Sequence, residues 1–201
     1  MNHETFRALM AGVPAPVTVV TTVAAGAPRG ATVSSFASLS LDPPLVSIAL
    51  MCRSGLLAGL RESRRFAINL LAEDQADLAL RFAAPGAERF EGIDWHLHRG
   101  LPRLAGVARY LDCTLHTEVA GGDHALIFGR VTDCWMSDTP PLIHAARRFG
   151  THSGLVRLRT GQARLARRID DLYYGEASGR PDGGGVPQPG GGPAGVSTTR
   201  A

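Results

Sequence analysis

The sequence predicts a mainly β domain with short helices, followed by a disordered tail. Val17-Thr-Val-Val-Thr-Thr-Val23 is β-branched throughout, which favours an extended backbone. Arg109 to Val119 alternates apolar and polar residues, Gly121 and Gly122 follow as a turn, and His124 to Met136 returns as a second long strand. From about Gly175 glycine and proline crowd the chain and leave little to bury. Residues 1–174 are therefore expected to form one domain and 175–201 a tail, with Ala177 to Ala201 disordered.

The elements follow in order. Glu4 to Ala11 reads as a short helix with Phe6, Leu9 and Met10 on one side, stopped by Gly12 and Pro14. After the Val17–Val23 strand, Ala24 to Gly30 carries the glycine and proline of a turn. The stretch Arg29 to Leu50 returns as the hairpin partner; Pro43 and Pro44 break it, and Leu45 to Met51 makes a third strand. Ser54 is placed to cap a helix over Gly55 to Arg61, with Leu56, Leu57 and Leu60 as its apolar stripe. Phe66 to Leu71 reads as a buried strand. Glu73 to Phe82 reads as an amphipathic helix, with Leu78 and Phe82 at i, i+4 and Asp74 near its start. Ala83 to Gly92 is a loop with a short helical turn, with Arg89, Phe90 and Trp95 close together. In the first long strand, Leu111, Cys113, Leu115 and Val119 share one face, and Asp112, Thr114, His116 and Glu118 the other. Its partner presents Leu126, Phe128 and Val131. Leu142 to Phe149 reads as helical, Leu155 to Leu158 as a last strand, and Gln162 to Ile169 as a charged segment.

Composition narrows the chemistry. All 21 basic side chains are arginine, so lysine Schiff-base chemistry and an internal pyridoxal phosphate linkage are excluded. Arginine brings planar, bidentate contacts to phosphate and carboxylate. Cys52, Cys113 and Cys134 are odd in number and lack CxxC spacing, which argues against a disulfide framework or zinc site and for a reducing compartment. No apolar run reaches the ~18 residues of a membrane span. Pro14, Pro16 and three threonines interrupt the only segment resembling a signal peptide, Ala8 to Ala27, so a cytoplasmic location is expected. Neither a Walker A motif nor GxGxxG between strand and helix is present.

Two stretches carry the functional signal. Thr32, Ser34, Ser35, Ser38 and Ser40 cluster hydroxyls beside apolar strands, which suits a flat polar ring or a phosphate, or else a serine-rich exposed strand. Gly122-Asp123-His124 presents a histidine on a glycine turn, where it can bond an amide or phosphate or simply be solvated. His96 and His98 share a strand face without a third ligand of fitting spacing. The arginines Arg147, Arg148, Arg157, Arg159, Arg164, Arg167 and Arg168 lack interleaved aromatics and read as a solvated face or a dimer contact, not a nucleic-acid groove.

Thr32-Val-Ser-Ser-Phe-Ala-Ser-Leu-Ser-Leu-Asp-Pro-Pro-Leu45, then Phe66-Ala-Ile-Asn-Leu-Leu71, then Gly122-Asp-His124 with Gly129-Arg-Val131, resemble the flavin reductase-like family from about Phe6 to about Leu158. The resemblance implies a split β-barrel that binds FMN or FAD, dimerises, and reduces flavin with NADH or NADPH for a separate flavin-dependent oxygenase. Carried over, it places Thr32, Val33, Ser34 and Ser35 along the flavin ring and ribityl chain. It places Cys52, Arg53 and Ser54 near the flavin phosphate, and Phe82 and Arg89 at the edge of the site. His124, with Gly122 and Asp123, matches the loop that contacts the nicotinamide nucleotide, which makes His124 the candidate catalytic residue. The family often has lysine at Arg89 and tyrosine near Phe149, so a hydroxyl contact expected there is missing. A flavin-binding electron carrier without nicotinamide turnover, and a basic partner protein, are the other classes the sequence leaves open.

Overall fold

The computed structural model describes residues 2–86 and 88–152. Helix α1 (His3–Ala11) starts at Asn2, whose side-chain oxygen accepts from the Glu4 and Thr5 amides. Strands β1 (Ala15–Pro16), β2 (Thr18–Ala24), β3 (Ala27–Val33), β4 (Ala37–Ser40) and β5 (Leu45–Met51) follow. Then come α2 (Gly55–Ser63), β6 (Arg65–Leu70), α3 (Ala76–Ala83), β7 (Trp95–His98) and β8 (Leu101–Leu104). The long hairpin β9 (Arg109–Gly121) and β10 (His124–Met136) precedes a short one, β11 (Ile143–Ala145) and β12 (Arg148–Gly150).

Seven strands form one sheet in the order β3-β2-β6-β9-β10-β5-β4, flanked by the small sheets β1-β11-β12 and β7-β8. The large sheet curls until Val20, Val33, Ile48, Phe66, Cys113 and Ile127 meet in one buried cluster with Leu57 and Leu60 of α2. Its edge strands β3 and β4 do not pair with each other. The short link between them is stitched to β5 instead: Ser35 Oγ accepts from the Ala49 amide at 2.8 Å and donates to the Ala49 carbonyl at 3.1 Å. This is a split β-barrel, as the resemblance implies.

A second core lies on the outer face, where Val19, Ala67, Phe82, Leu104, Tyr110 and Leu142 pack together. β2 and β6 are thus covered on both faces, which is why their sequences read as continuous runs instead of alternating. Buried Asn69 joins the layers: its Nδ2 donates to the Val19 carbonyl and Thr21 Oγ1, both at 3.2 Å, and its Oδ1 accepts from the Leu104 amide at 2.9 Å.

Several expectations need correction. The first turn is two residues, not seven. Ala24 pairs with Ala27, and Ala25 and Gly26 take positive φ (51° and 75°), a geometry that matches strand twist. α3 starts later than Glu73 because residues 71–73 are held extended: Leu142 N donates to Leu71 O at 2.8 Å and Glu73 N to Pro140 O at 3.0 Å. Asp112 is buried, not solvated. β7 and β8 cover its half of the strand, and Arg65 Nη2 reaches both its oxygens at 3.1 and 3.3 Å. On β10 the core takes Ala125 and Ile127, while Leu126 and Phe128 are only half-buried. Leu142 to Phe149 is a hairpin, not a helix. Its first strand, β11, pairs with β1 on one side and β12 on the other, and Ala146 and Arg147 turn with φ of 50° and 60°. The apolar side of α1 exists but is open to solvent: Phe6 is 49%, Leu9 63% and Met10 46% exposed. The strand Leu155–Leu158, the segment Gln162–Ile169, most of the arginine set, the 174/175 boundary and the tail lie outside the described residues.

Candidate functional site

A groove of about 870 Å³ opens between the free edge of β3, the N-terminus of α2 and the segment after α3. Ala27 to Thr32 form one wall, and Met51 with Arg53 to Leu56 form the end. Phe82, Ala83, Pro85, Gly86, Arg89 and Phe90 form the other wall. Of the residues expected from sequence, Thr32, Arg53, Ser54, Phe82 and Arg89 line this one space.

Each has a local reason for its place. Ser54 caps α2, its Oγ accepting from the Leu56 amide at 3.2 Å. The helix then points its positive end into the groove, beside exposed Arg53. Thr32 Oγ1 donates to the Ala79 carbonyl of α3 at 2.6 Å, so this hydroxyl anchors a wall. Phe82 is buried, with its ring edge-on to Phe90 at 5.0 Å, and Phe90 in turn meets Trp95 at 5.2 Å. Gly30 is required here, because a Cβ would stand 2.8 Å from Phe82 Cε1. Arg89 Nη1 donates to the Gly30 carbonyl and Nη2 to the Ala84 carbonyl, both at 2.6 Å. Its Nε is buried with no acceptor among the described residues.

Other expected residues lie elsewhere. The Val33 side chain enters the barrel core, and Ser35 is used in the seam. Exposed Ser34 and Cys52 do not line the groove. Gly122, Asp123 and His124 stand just beyond its rim: His124 pairs with Met51 across the sheet, and the Cys52 amide donates to the Asp123 carbonyl at 2.9 Å. His124 Nδ1 is 2.7 Å from Asp123 Oδ1. The imidazole hydrogen bond, helped by the charges of His124 and Arg53, holds the Asp123 carboxyl below the usual aspartate range. Phe149 sits on β12 against the outer core, its ring 5.2 Å from His144, and is not part of the groove.

Sequence reasoning missed Arg29, Gly30 and Phe90. Arg29 lies alongside α2, with its Nη1 3.6 Å from where a Gly55 Cβ would stand, and it lines the groove with Arg53 and Arg89. Alternation along β3 does not reveal it: Arg29 shares its side with Ala31 and Val33, while Thr32 faces α3, and the groove takes residues from both sides of the edge strand. No carboxylate lines the groove among the described residues. His98 instead pairs with Asp133 at 3.0 Å, away from this space, and no cluster of metal-ligating side chains occurs among the described residues.

The chain is a split barrel with a cationic groove walled by aromatic side chains. The flavin reductase-like domain matches residues 10–153. The reductase component of a 4-nitrophenol 4-monooxygenase/4-nitrocatechol 2-monooxygenase from Rhodococcus opacus is 38% identical over 150 residues, covering 75% of this chain and 81% of that one. The reductase subunit of a stachydrine N-demethylase from Rhizobium meliloti is 40% identical over 121 residues, 59% of this chain and 53% of that longer one. An NADH:FAD oxidoreductase from Streptomyces globisporus, solved in complex with NAD and FAD fragments, superposes with a TM-score of 0.71 at 30% identity, over 79% of this chain and 94% of that one. The chain belongs to the flavin reductase-like family and is a flavin reductase.

Proposed function

We propose that the chain takes a hydride from NADH or NADPH, passes it to FMN or FAD held in the groove, and supplies reduced flavin to a separate flavin-dependent oxygenase. The groove itself carries this reading. It joins a capped helix N-terminus, Arg29 and Arg53, which suit a phosphate, to a wall of backbone and aromatic edges, which suits a flat ring. The Arg89 Nε adds a buried donor on that wall with no acceptor among the described residues. Arg53, Ser54 and the first amides of α2, with Arg29 beside them, would hold the phosphate. Thr32, Gly30 and Phe82 would frame the ring. The bound flavin supplies the hydride-accepting ring, so the side chains need no acid or base; they hold two planar rings in contact and exclude water. That matches a groove without carboxylates. The Gly122-Asp123-His124 turn, which pairs with β5 next to the groove end, would contact the nicotinamide nucleotide.

The chain is also proposed to be a cytoplasmic homodimer. Its three cysteines are free, and α1 exposes Phe6, Leu9 and Met10 together. Among the described residues no helix is long and apolar enough to cross a membrane.

Mixing the protein with NADH or NADPH and free FMN or FAD, and following nicotinamide absorbance, tests the activity. Steady loss of the nicotinamide band is expected. Tight flavin binding without turnover would make the chain an electron carrier, and neither outcome would leave only a basic partner protein.

A further inference from the structure

We propose that Arg89 is a positioning residue that ties the two walls of the groove together and sets its width, so that flavin affinity depends on the shape of the guanidinium and not only on its charge. The inference rests on the reading of the groove as the flavin site. β3 is an edge strand, and it presents the Gly30 carbonyl to Arg89 Nη1 at 2.6 Å. The same guanidinium holds the Ala84 carbonyl through Nη2 at 2.6 Å, where the chain leaves α3 to form the opposite wall. One planar fork therefore spans the gap. It lies where the walls come closest: a Cβ on Gly30 would meet Phe82 at 2.8 Å and Phe90 at 3.2 Å. Arg81 supports the far wall separately, donating to the Glu88 carbonyl at 3.2 Å and to the Glu91 carbonyl. Of these two arginines, Arg89 alone crosses to β3. Because its acceptors are both backbone carbonyls, lysine at this position keeps the charge but cannot reproduce two divergent bonds in one plane.

Arg89→Lys and Arg89→Gln separate this role from a charge contact. In flavin-free protein, cleavage by a glutamate-specific protease after Glu88 or Glu91 is expected to speed up several-fold in both variants, because the wall opens more often. By fluorescence quenching, both variants are expected to bind FMN and riboflavin about tenfold more weakly, with the ratio between the two flavins unchanged. Wild-type affinity in Arg89→Lys, or a loss confined to FMN, would make Arg89 a phosphate contact and overturn the proposal. Unchanged cleavage would also overturn it. Faster cleavage with unchanged binding of both flavins would show that flavin binds outside this groove, which overturns the groove reading and the proposal with it.

Discussion

His124 owes its chemistry to one neighbour. An ionised aspartate only accepts hydrogen bonds, so the 2.7 Å contact places a proton on Nδ1 and leaves Nε2 for a second partner. Losing one such bond costs ~0.5–1.5 kcal/mol, or up to ~3 with a charged partner. His124→Ala is therefore expected to raise the apparent KM for NADH roughly several-fold to a hundredfold, at 1.4 kcal/mol per factor of ten. Flavin affinity measured by fluorescence quenching should hardly move. The Asp123 carboxyl is held below its usual range, so its tie to His124 contributes above the ordinary aspartate range and is lost as pH falls through the lowered value. Carboxyl carbon NMR should show a midpoint below that of an ordinary aspartate, returning to the ordinary range in His124→Ala. Gly129 makes a packing demand of a different kind. A Cβ there would overlap the buried Phe66 ring and stand 3.2 Å from Cys113 Cβ. Gly129→Ala should lower the free energy of unfolding by about 1–3 kcal/mol, read by urea denaturation.

β8 is held to the barrel through polar groups as well as apolar contact. Thr21 Oγ1 donates to the Pro102 carbonyl at 2.7 Å, and Asn69 takes the Leu104 amide. Asn69→Leu keeps the bulk but strands that amide in a buried site, at a cost of about 1–3 kcal/mol. Urea unfolding should show the loss, and Trp95 emission should shift, since β7 pairs with β8 and carries that ring. If Trp95 and global stability are unchanged, β8 is held by its leucines alone. The other element with an outsized effect is α3, whose Ala79 carbonyl receives Thr32 and whose Phe82 faces the groove. Its amphipathic spacing is legible in sequence. Its late start is not, because a pairing with residues 140–142 competes for the backbone of 71–73.

Among the described residues, the barrel and its outer core use nearly all the large apolar side chains of β2 and β6, while α1 exposes Phe6, Leu9 and Met10 together. Trp95 and Phe128 are partly covered within one chain, and Trp135 lies under the Arg103 guanidinium at 4.2 Å. On these exposures we propose a dimer that buries α1. Sedimentation at micromolar concentration should give a dimer, and Phe6→Asp with Leu9→Asp should shift it toward monomer. A wild-type monomer would remove this prediction.

Sequence alone was enough for what local chemistry dictates. β-branched runs make β2, Ser54 starts α2, and the glycine pair turns β9 into β10. Only the tertiary structure decided which faces are covered. Asp112 looks solvated in an alternating strand until β7 and β8 close over it, and Leu142 to Phe149 looks helical until β1 offers it a pairing partner. Arg29, Gly30 and Arg89 meet for the same reason. They lie on an edge strand and a loop far apart in the chain, and no periodicity within either segment encodes the distance between them.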